Sequence, residues 1–376
     1  MESVCRRLEM PVIGVDCSDA WQHGEGRLGL RYADLTMTLD PVQLTRQLID
    51  IESTTYGEGA VGAFLAEFLA ARDFAVEKMH VANKGEDGAT TDRFNVYATV
   101  LGEQPEVVFS THMDTVPPYF GSSEDDETIY GRGACDAKGI IAAQIAAVER
   151  LRGGGVKAGM LFVVGEERDS AGARVANEQP RGNRYLINGE PTDNRIGLAS
   201  KGALRGAVRA TGKMAHSAYP ELGESAIHKL LQALNNVMRI ELPTEPGIGP
   251  STLNVGLIEG GRAPNVIADK ALAQVMVRLV GPSESTRIAL NKAVEGLAEI
   301  DYTLEIPFMR FKTIEGMETM VAAFATDIPA LTNWGEAVLL GPGSIHVAHT
   351  PDERLSKGEL FAAIDLYTEI ASKLVA

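Results

Sequence analysis

Side chains able to bind a cation or move a proton recur at the ends of short apolar runs. His112 and Asp114 follow Val107-Val108-Phe109-Ser110-Thr111 and precede Pro117-Pro118. Asp136 lies in Gly131-Arg132-Gly133-Ala134-Cys135-Asp136-Ala137-Lys138-Gly139. Glu166 and Glu167 follow one apolar run, Glu190 follows another, and His346 and His349 come late, before Thr350-Pro351-Asp352-Glu353. Each has an ordinary explanation taken singly. A lone buried histidine is most simply a core residue, an acid before a helix commonly caps it, and a Glu-Glu pair commonly faces solvent. Together they ask for more, because carboxylates gathered in one place repel unless protons or cations neutralise them. Two imidazoles among several carboxylates suit zinc or another borderline divalent ion. A shared carboxylate offsets the repulsion of two ions about 3.5–4 Å apart, a pair that can activate water and stabilise an oxyanion. A neighbouring carboxylate left free can take the proton, so Glu166 and Glu167 can divide that work. Spacing alone leaves both His346 and His349 open as ligands.

For these residues to meet, the chain must carry them to one place. The run at 107–111 reads as a buried strand, and the prolines cannot continue a central strand. His112 and Asp114 then sit where strand gives way to loop, which is where open α/β sheets bind ligands. Two residues apart on an extended chain, their side chains share a face. Upstream, Asp40-Pro41 predicts a helix start, with Leu44, Leu48 and Ile51 at helical spacing. A helix over 58–72, a strand over 74–81, a Gly/Asp-rich turn and a strand over 94–101 follow. A helix over 140–151 is stopped by Gly153-Gly154-Gly155, and strands at 159–164 and 185–188 come next. Strands alternating with helices indicate an α/β sheet.

From 198 to 309 the pattern changes to strand 202–211, helix 224–239, strands 251–259 and 266–280, helix 284–297 and strand 302–307. That βαββαβ order is the ferredoxin-like split unit, expected as a small domain inserted into the first. The chain then returns through a helix near 317–325, a strand at 337–340 and a helix from Lys357. The expected fold class is α/β. A discontinuous catalytic domain (37–197 and 310–376) with a central mixed sheet carries the inserted domain (198–309). Residues 1–36 show no sustained period and are expected to be a poorly packed extension, with Met37 as an alternative natural start.

A chain of 376 residues with a formal charge of -16 is too acidic to favour nucleic acid or an anionic membrane as partner. Three cysteines (Cys5, Cys17 and Cys135) are too few for a disulfide framework, which points to a reducing compartment and a cytoplasmic location. No run approaches 18 apolar residues, and the N-terminus lacks a signal-peptide core. Cys135 reads as a small residue in a tight turn, and Lys138 as a structural charge.

The segments S-T-H-M-D-T-V-P, Y-G-R-G-A-C-D-A-K-G, G-E-E, G-E-P-T and A-H-T-P-D-E, in that order, resemble the di-zinc aminoacylase and carboxypeptidase family of metallopeptidases. That family includes acetylornithine deacetylase, succinyl-diaminopimelate desuccinylase and carboxypeptidase G. The resemblance runs from about Met37 to the C-terminus. It implies that His112 and Glu190 hold one metal and Glu167 and His349 the other, with Asp136 bridging and a cis peptide following it. The ions it implies are two divalent ones, zinc first, with cobalt or manganese as alternatives. Glu166 is implied to be the general base and proton shuttle, and Asp114 to orient His112. His349 is preferred over His346 because T-P-D-E follows it. The inserted domain is implied to be a lid through which a homodimer forms. There His216 would stabilise the oxyanion of the partner subunit's site, Asn265 would contact substrate, and Arg278 would bind its carboxylate.

The reaction expected on that resemblance is amide hydrolysis: Glu166 takes a proton from water and hands it to the departing amine. The favoured substrate is an N-acyl amino acid, acetylornithine or a close relative. The alternative is an exopeptidase acting on dipeptides or short peptides, and the remaining one a non-catalytic metal-binding relative.

Overall fold

A computed structural model describes residues 39–82 and 92–376. The readings of 1–36 and Met37, and most of the Gly/Asp-rich turn, lie outside the described residues. The central sheet has six strands in the order Phe74–His80, Phe94–Val100, Ala158–Val163, Val107–His112, Tyr185–Asn188 and Glu336–Leu339. The first two strands join antiparallel, and the last four run parallel to one another, so the sheet is mixed. Val107–His112 and Ala158–Val163 are buried at every residue, as expected of parallel strands covered on both faces.

One face packs against helices Pro41–Ile49, Gly59–Ala70, Gly139–Leu151 and Lys357–Val375, in a core holding Leu48, Phe109, Ile141 and Tyr367. On the other face Val108, Leu161 and Leu186 meet Trp334 and the short helix Ala171–Asn177. Asp40 caps the first helix, accepting from the amides of Val42 and Gln43, with Pro41 at its first position. None of the helices among the described residues is long and apolar enough to cross a membrane.

Between Gly202 and Ile306 the main elements of the chain run strand, helix, strand, strand, helix, strand, with a short turn at Pro220–Leu222 and a small hairpin joining Thr244–Glu245 to Gly249–Pro250 added. Its four-stranded antiparallel sheet has the order Thr252–Gly260, Lys270–Leu279, Gly202–Thr211, Glu299–Ile306. Helices Ala226–Val237 and Glu284–Val294 cover that sheet around a separate apolar cluster.

One expected element is wrong. The helix near 317–325 is instead the strand Thr319–Ala322, paired in parallel with Ile196–Ser200. Ile196–Ser200 offers an edge that Thr319-Met320-Val321 satisfies, and pairing overrides local propensity. The helix Ala171–Asn177, the strand Ile196–Ser200 and the small sheet joining Thr128–Tyr130 to Arg354–Ser356 went unread as elements.

Candidate metal centre

Four adjacent parallel strands end on the same side, and each is followed by candidate residues. His112 is the last residue of its strand and lies beside Val163 of the next, so Glu166 and Glu167 emerge next to it. On the other flank Gly189 donates its N–H to the Ser110 carbonyl at 2.7 Å, which places Glu190 beyond it. The Glu336–Leu339 strand leads into the loop that carries His349. Parallel pairing therefore gathers residues that are far apart in sequence at the carboxyl edge of one sheet.

Asp136 completes the group from a tight turn before the Gly139–Leu151 helix. The bland reading of it as a helix cap fails: the capping position is Lys138, and the peptide from Asp136 to Ala137 is cis. Asp136 Oδ1 lies 2.9 Å from His112 Nε2, and its Oδ2 lies 3.2 Å from His349 Nε2. His349 Nε2 is also 3.0 Å from Glu167 Oε1. One ligand atom from each of His112, Asp136 and Glu167 lies within 4.8 Å of the others. Glu190 is buried, and its Oε1 has no hydrogen-bond partner among the described residues. An orphaned buried oxygen near His112 and further carboxylates, together with His349 on Asp136, is a donor set that fits divalent cations. Among the described residues no contact of this kind is found for His346, which is exposed and bonds through its own N–H to Ser344 Oγ at 3.5 Å.

Protons stand in for that charge in the metal-free protein. Burial pushes the carboxyls of Glu166 and Glu190 well up, and neighbouring acids add to it. Glu167 is raised by burial as well, although His349 opposes this. Burial would raise Asp136 too, but His112 and His349 outweigh it and hold its carboxyl far below the usual range. Bonds to Asp136 and Glu167 push His349 up to about 10. Burial disfavours charge on His112, yet Asp114 and Asp136 hold its pKa well above 6.5.

Asp114 has a second task beside His112. His112 Nδ1 lies 3.0 Å from the Asp114 backbone carbonyl and 3.6 Å from its carboxylate. The carboxylate accepts from Gly165 N–H at 3.0 Å, Glu166 N–H at 3.1 Å, Glu167 N–H at 3.2 Å and the Thr55 hydroxyl at 2.8 Å. It is thus the peg for the turn that carries Glu166 and Glu167. Gly165 takes φ +82° there, and a Cβ would run into the Arg93 guanidinium. Arg93 is itself buried, 3.4 Å from buried Glu58 and stacked over Tyr56. Burial, reinforced by Asp114, lifts Glu58 to about 7.

The other named residues lie apart. Among the described residues, no hydrogen bond or ion pair links His216, Asn265 or Arg278 to this cluster. His216 and Asn265 are exposed but adjacent to each other, because Ser217 donates its N–H to the Asn265 carbonyl at 3.0 Å and His216 bridges to Val266. Arg278 is half-buried on the Lys270–Leu279 strand, opposite Thr252 and Ala203. Asp327 was missed. It is buried, raised to about 6 chiefly by burial, and close enough to Glu166 and Glu190 to raise both. Its local sequence, Thr326-Asp327-Ile328-Pro329, reads only as a turn, so no local signal marked it.

A mixed α/β sheet that delivers imidazoles and carboxylates to one edge is the frame of a metal-dependent hydrolase. The chain belongs to Peptidase family M20/M25/M40, whose pattern matches residues 108–373. A peptidase M20 domain-containing protein of Schizosaccharomyces pombe is 39% identical over 341 residues, covering 87% of this chain and 82% of that one. A protein of Aspergillus terreus named probable carboxypeptidase is 36% identical over 364 residues, covering 86% and 84%. The aminopeptidase PepT of Bacillus cereus shares the fold at a TM-score of 0.74 and 20% identity, over 89% of this chain and 98% of that one. A dinuclear metal-binding M20 peptidase of Bacillus subtilis does so at 0.64 and 16%, over 89% and 97%.

Proposed function

We propose that the protein is a di-metal exopeptidase that cleaves a terminal amide of dipeptides or short peptides, with carboxypeptidase action first. The observation that carries the two-ion reading is Asp136, whose two oxygens face two different imidazoles. His112 and Glu190 would hold one divalent ion and Glu167 and His349 the other, with Asp136 shared between them. Zinc is the first choice for this mixed nitrogen and oxygen set. When bound, the pair supplies Lewis-acid polarisation of an amide carbonyl and lowers the pKa of water. Glu166 shares the turn with Glu167 and, among the described residues, makes no hydrogen bond to either imidazole, which suits a base that takes a proton from water and gives it to the leaving amine. The carboxypeptidase name of the Aspergillus terreus relative favours a peptide substrate over acetylornithine.

The same reading divides the chain into a catalytic part, 37–197 with 310–376, and a ferredoxin-like lid, 198–309, through which two copies pair. Exposed Leu231 on the helix Ala226–Val237, Met238 just after it, and Leu257 and Ile258 on the edge strand Thr252–Gly260 support a second copy as the cover for these residues. In the dimer His216 stabilises the oxyanion in the opposite site, while Asn265 and Arg278 hold the substrate. The test is hydrolysis by zinc-loaded protein of matched dipeptides, N-blocked dipeptides and N-acetyl amino acids including acetylornithine. Peptide cleavage at least tenfold faster than deacetylation is expected, and the reverse ranking would return the deacylase reading to first place. Glu166→Ala should lose about 10²–10⁴-fold in turnover with both ions retained.

A further inference from the structure

We infer that Glu353, paired with Arg132, is a positioning residue that fastens the His349 loop to the Asp136 turn and so governs binding of the second metal ion in particular. The inference rests on the two-ion reading above and deepens it. The first half of the site is set by the sheet. His112 ends a strand that is paired on both flanks, and Glu190 follows a neighbouring strand bonded to it. In the second half only Glu167 has such a frame, from the Ala158–Val163 strand. His349 stands on a loop at φ +64° with its side chain 49% exposed, and the bonds around it, such as Thr350 Oγ1 to the Val347 carbonyl, are local.

Glu353 is the first residue beyond that loop with a strong hold on the Asp136 turn. It is 1% exposed. Its Oε1 accepts from Gly133 N–H at 2.9 Å and Asp136 N–H at 3.3 Å, and its Oε2 from Arg132 Nη1 at 2.6 Å. Its backbone carbonyl accepts from Gly131 N–H at 3.2 Å. Arg132 in turn donates through Nε to the Pro118 carbonyl at 3.2 Å and stacks over Phe120. That segment follows His112 and Asp114. One buried ion pair therefore ties together the three segments that carry His112, Asp136 and His349. A buried pair of this kind is weak evidence for net stability but costly to break on one side only. Its value here is register: groups that orient ligands, rather than bind metal, commonly change affinity by about 10–100-fold when lost.

The experiment titrates metal-free protein with Co²⁺, following the visible spectrum and the stepwise dissociation constants by equilibrium dialysis. Wild type should bind two ions. Glu353→Gln keeps an acceptor for Gly133 and Asp136 but turns an amide towards Arg132. It should hold the first ion within about threefold of wild type and the second about 10–100-fold more weakly, with excess Co²⁺ restoring kcat at unchanged KM. The double variant Arg132→Met with Glu353→Gln should be no worse than Glu353→Gln alone, since both charges leave together. Arg132→Lys, which keeps the charge but gives up one of the guanidinium bonds, should show a smaller loss of the same kind, and it carries the test if Glu353→Gln fails to fold. Equal weakening of both ions, or unchanged affinity in Arg132→Lys and Glu353→Gln, overturns the inference. Wild type that binds fewer than two ions overturns the two-ion reading itself, whatever the variants do.

Discussion

Replacing Asp114 by Asn tests the peg beneath the Glu166–Glu167 turn. The wild-type carboxylate is fully buried and receives three backbone N–H groups and the Thr55 hydroxyl. An asparagine offers one oxygen. If that oxygen faces Gly165 and Glu166, its amide faces Thr55 and Glu167. Thr55 can turn its hydroxyl to accept, but the Glu167 N–H is left without a partner, at a cost of about 1–3 kcal/mol. The three bonds that survive fall from charge-assisted to neutral, about 1 kcal/mol each. The lower cost of burying a neutral group offsets part of this, so a net loss of about 2–4 kcal/mol is expected. Urea unfolding of the metal-free protein measures it. The native Asp114 pKa is lowered because His112, Thr55 and the Glu167 N–H outweigh burial. Its contribution is therefore complete above the unfolded value of 3.8 and lost as pH falls through the native one, so the gap between variant and wild type should narrow in acid. Turnover with saturating zinc should fall as well, because the turn carries both the base and a ligand. A variant within about 0.5 kcal/mol of wild type near neutrality, with unchanged kcat, would refute the reasoning.

Other outcomes follow from the same geometry. His349 has its native pKa raised from 6.5 to about 10 by Asp136 and Glu167, so its stabilising contribution is complete below 6.5 and lost as pH rises towards 10. Metal-free protein should therefore lose stability over that window. Saturating zinc should reverse the slope, because binding needs the deprotonated ligand; a metal-free midpoint that rises with pH contradicts this. Asp327→Asn removes an acid that raises Glu166, so the acidic limb of the kcat/KM profile should move to lower pH, and a shift the other way would count against Asp327 as a neighbour of the base. Gly165→Ala should destabilise by about 1–3 kcal/mol or more, from φ +82° and collision with Arg93, read as a lower urea midpoint; a wild-type midpoint would show that the turn can move.

The parts of the site written locally in the chain were the legible ones. A buried strand followed by a polar residue is a short-range signal, and it located His112, Glu166, Glu167 and Glu190 at the edge where the parallel strands deliver them. What eluded the sequence depends on distant partners. His346 and His349 were equal on spacing, and the loop geometry that turns His349 towards Asp136 and Glu167 decides between them. His-x-Asp suggested a carboxylate serving its own histidine, and the carboxylate's further partners are the Gly165–Glu167 amides, across two strands of the sheet. The strand at 319–322 looked helical until Ile196–Ser200 supplied its pairing edge.

Loops at a sheet edge have no ladder to hold them, so a site built from several loops needs a fastening for each. Here those fastenings are buried charges that bind no metal in the proposed scheme. Asp114 gathers the amides of the Glu166–Glu167 turn, Arg93 and Glu58 lie behind Gly165, and Glu353 with Arg132 holds the Asp136 turn. Apart from Arg132, which stands just before the turn it holds, each lies far in sequence from its partner. Asp114 aside, which the sequence already places at a strand end facing the site, they look in isolation like ordinary surface acids and bases, which almost never bury fully without a partner. Their complete burial is the physical sign that they belong to the site, and it becomes visible only once the strands have brought their partners together.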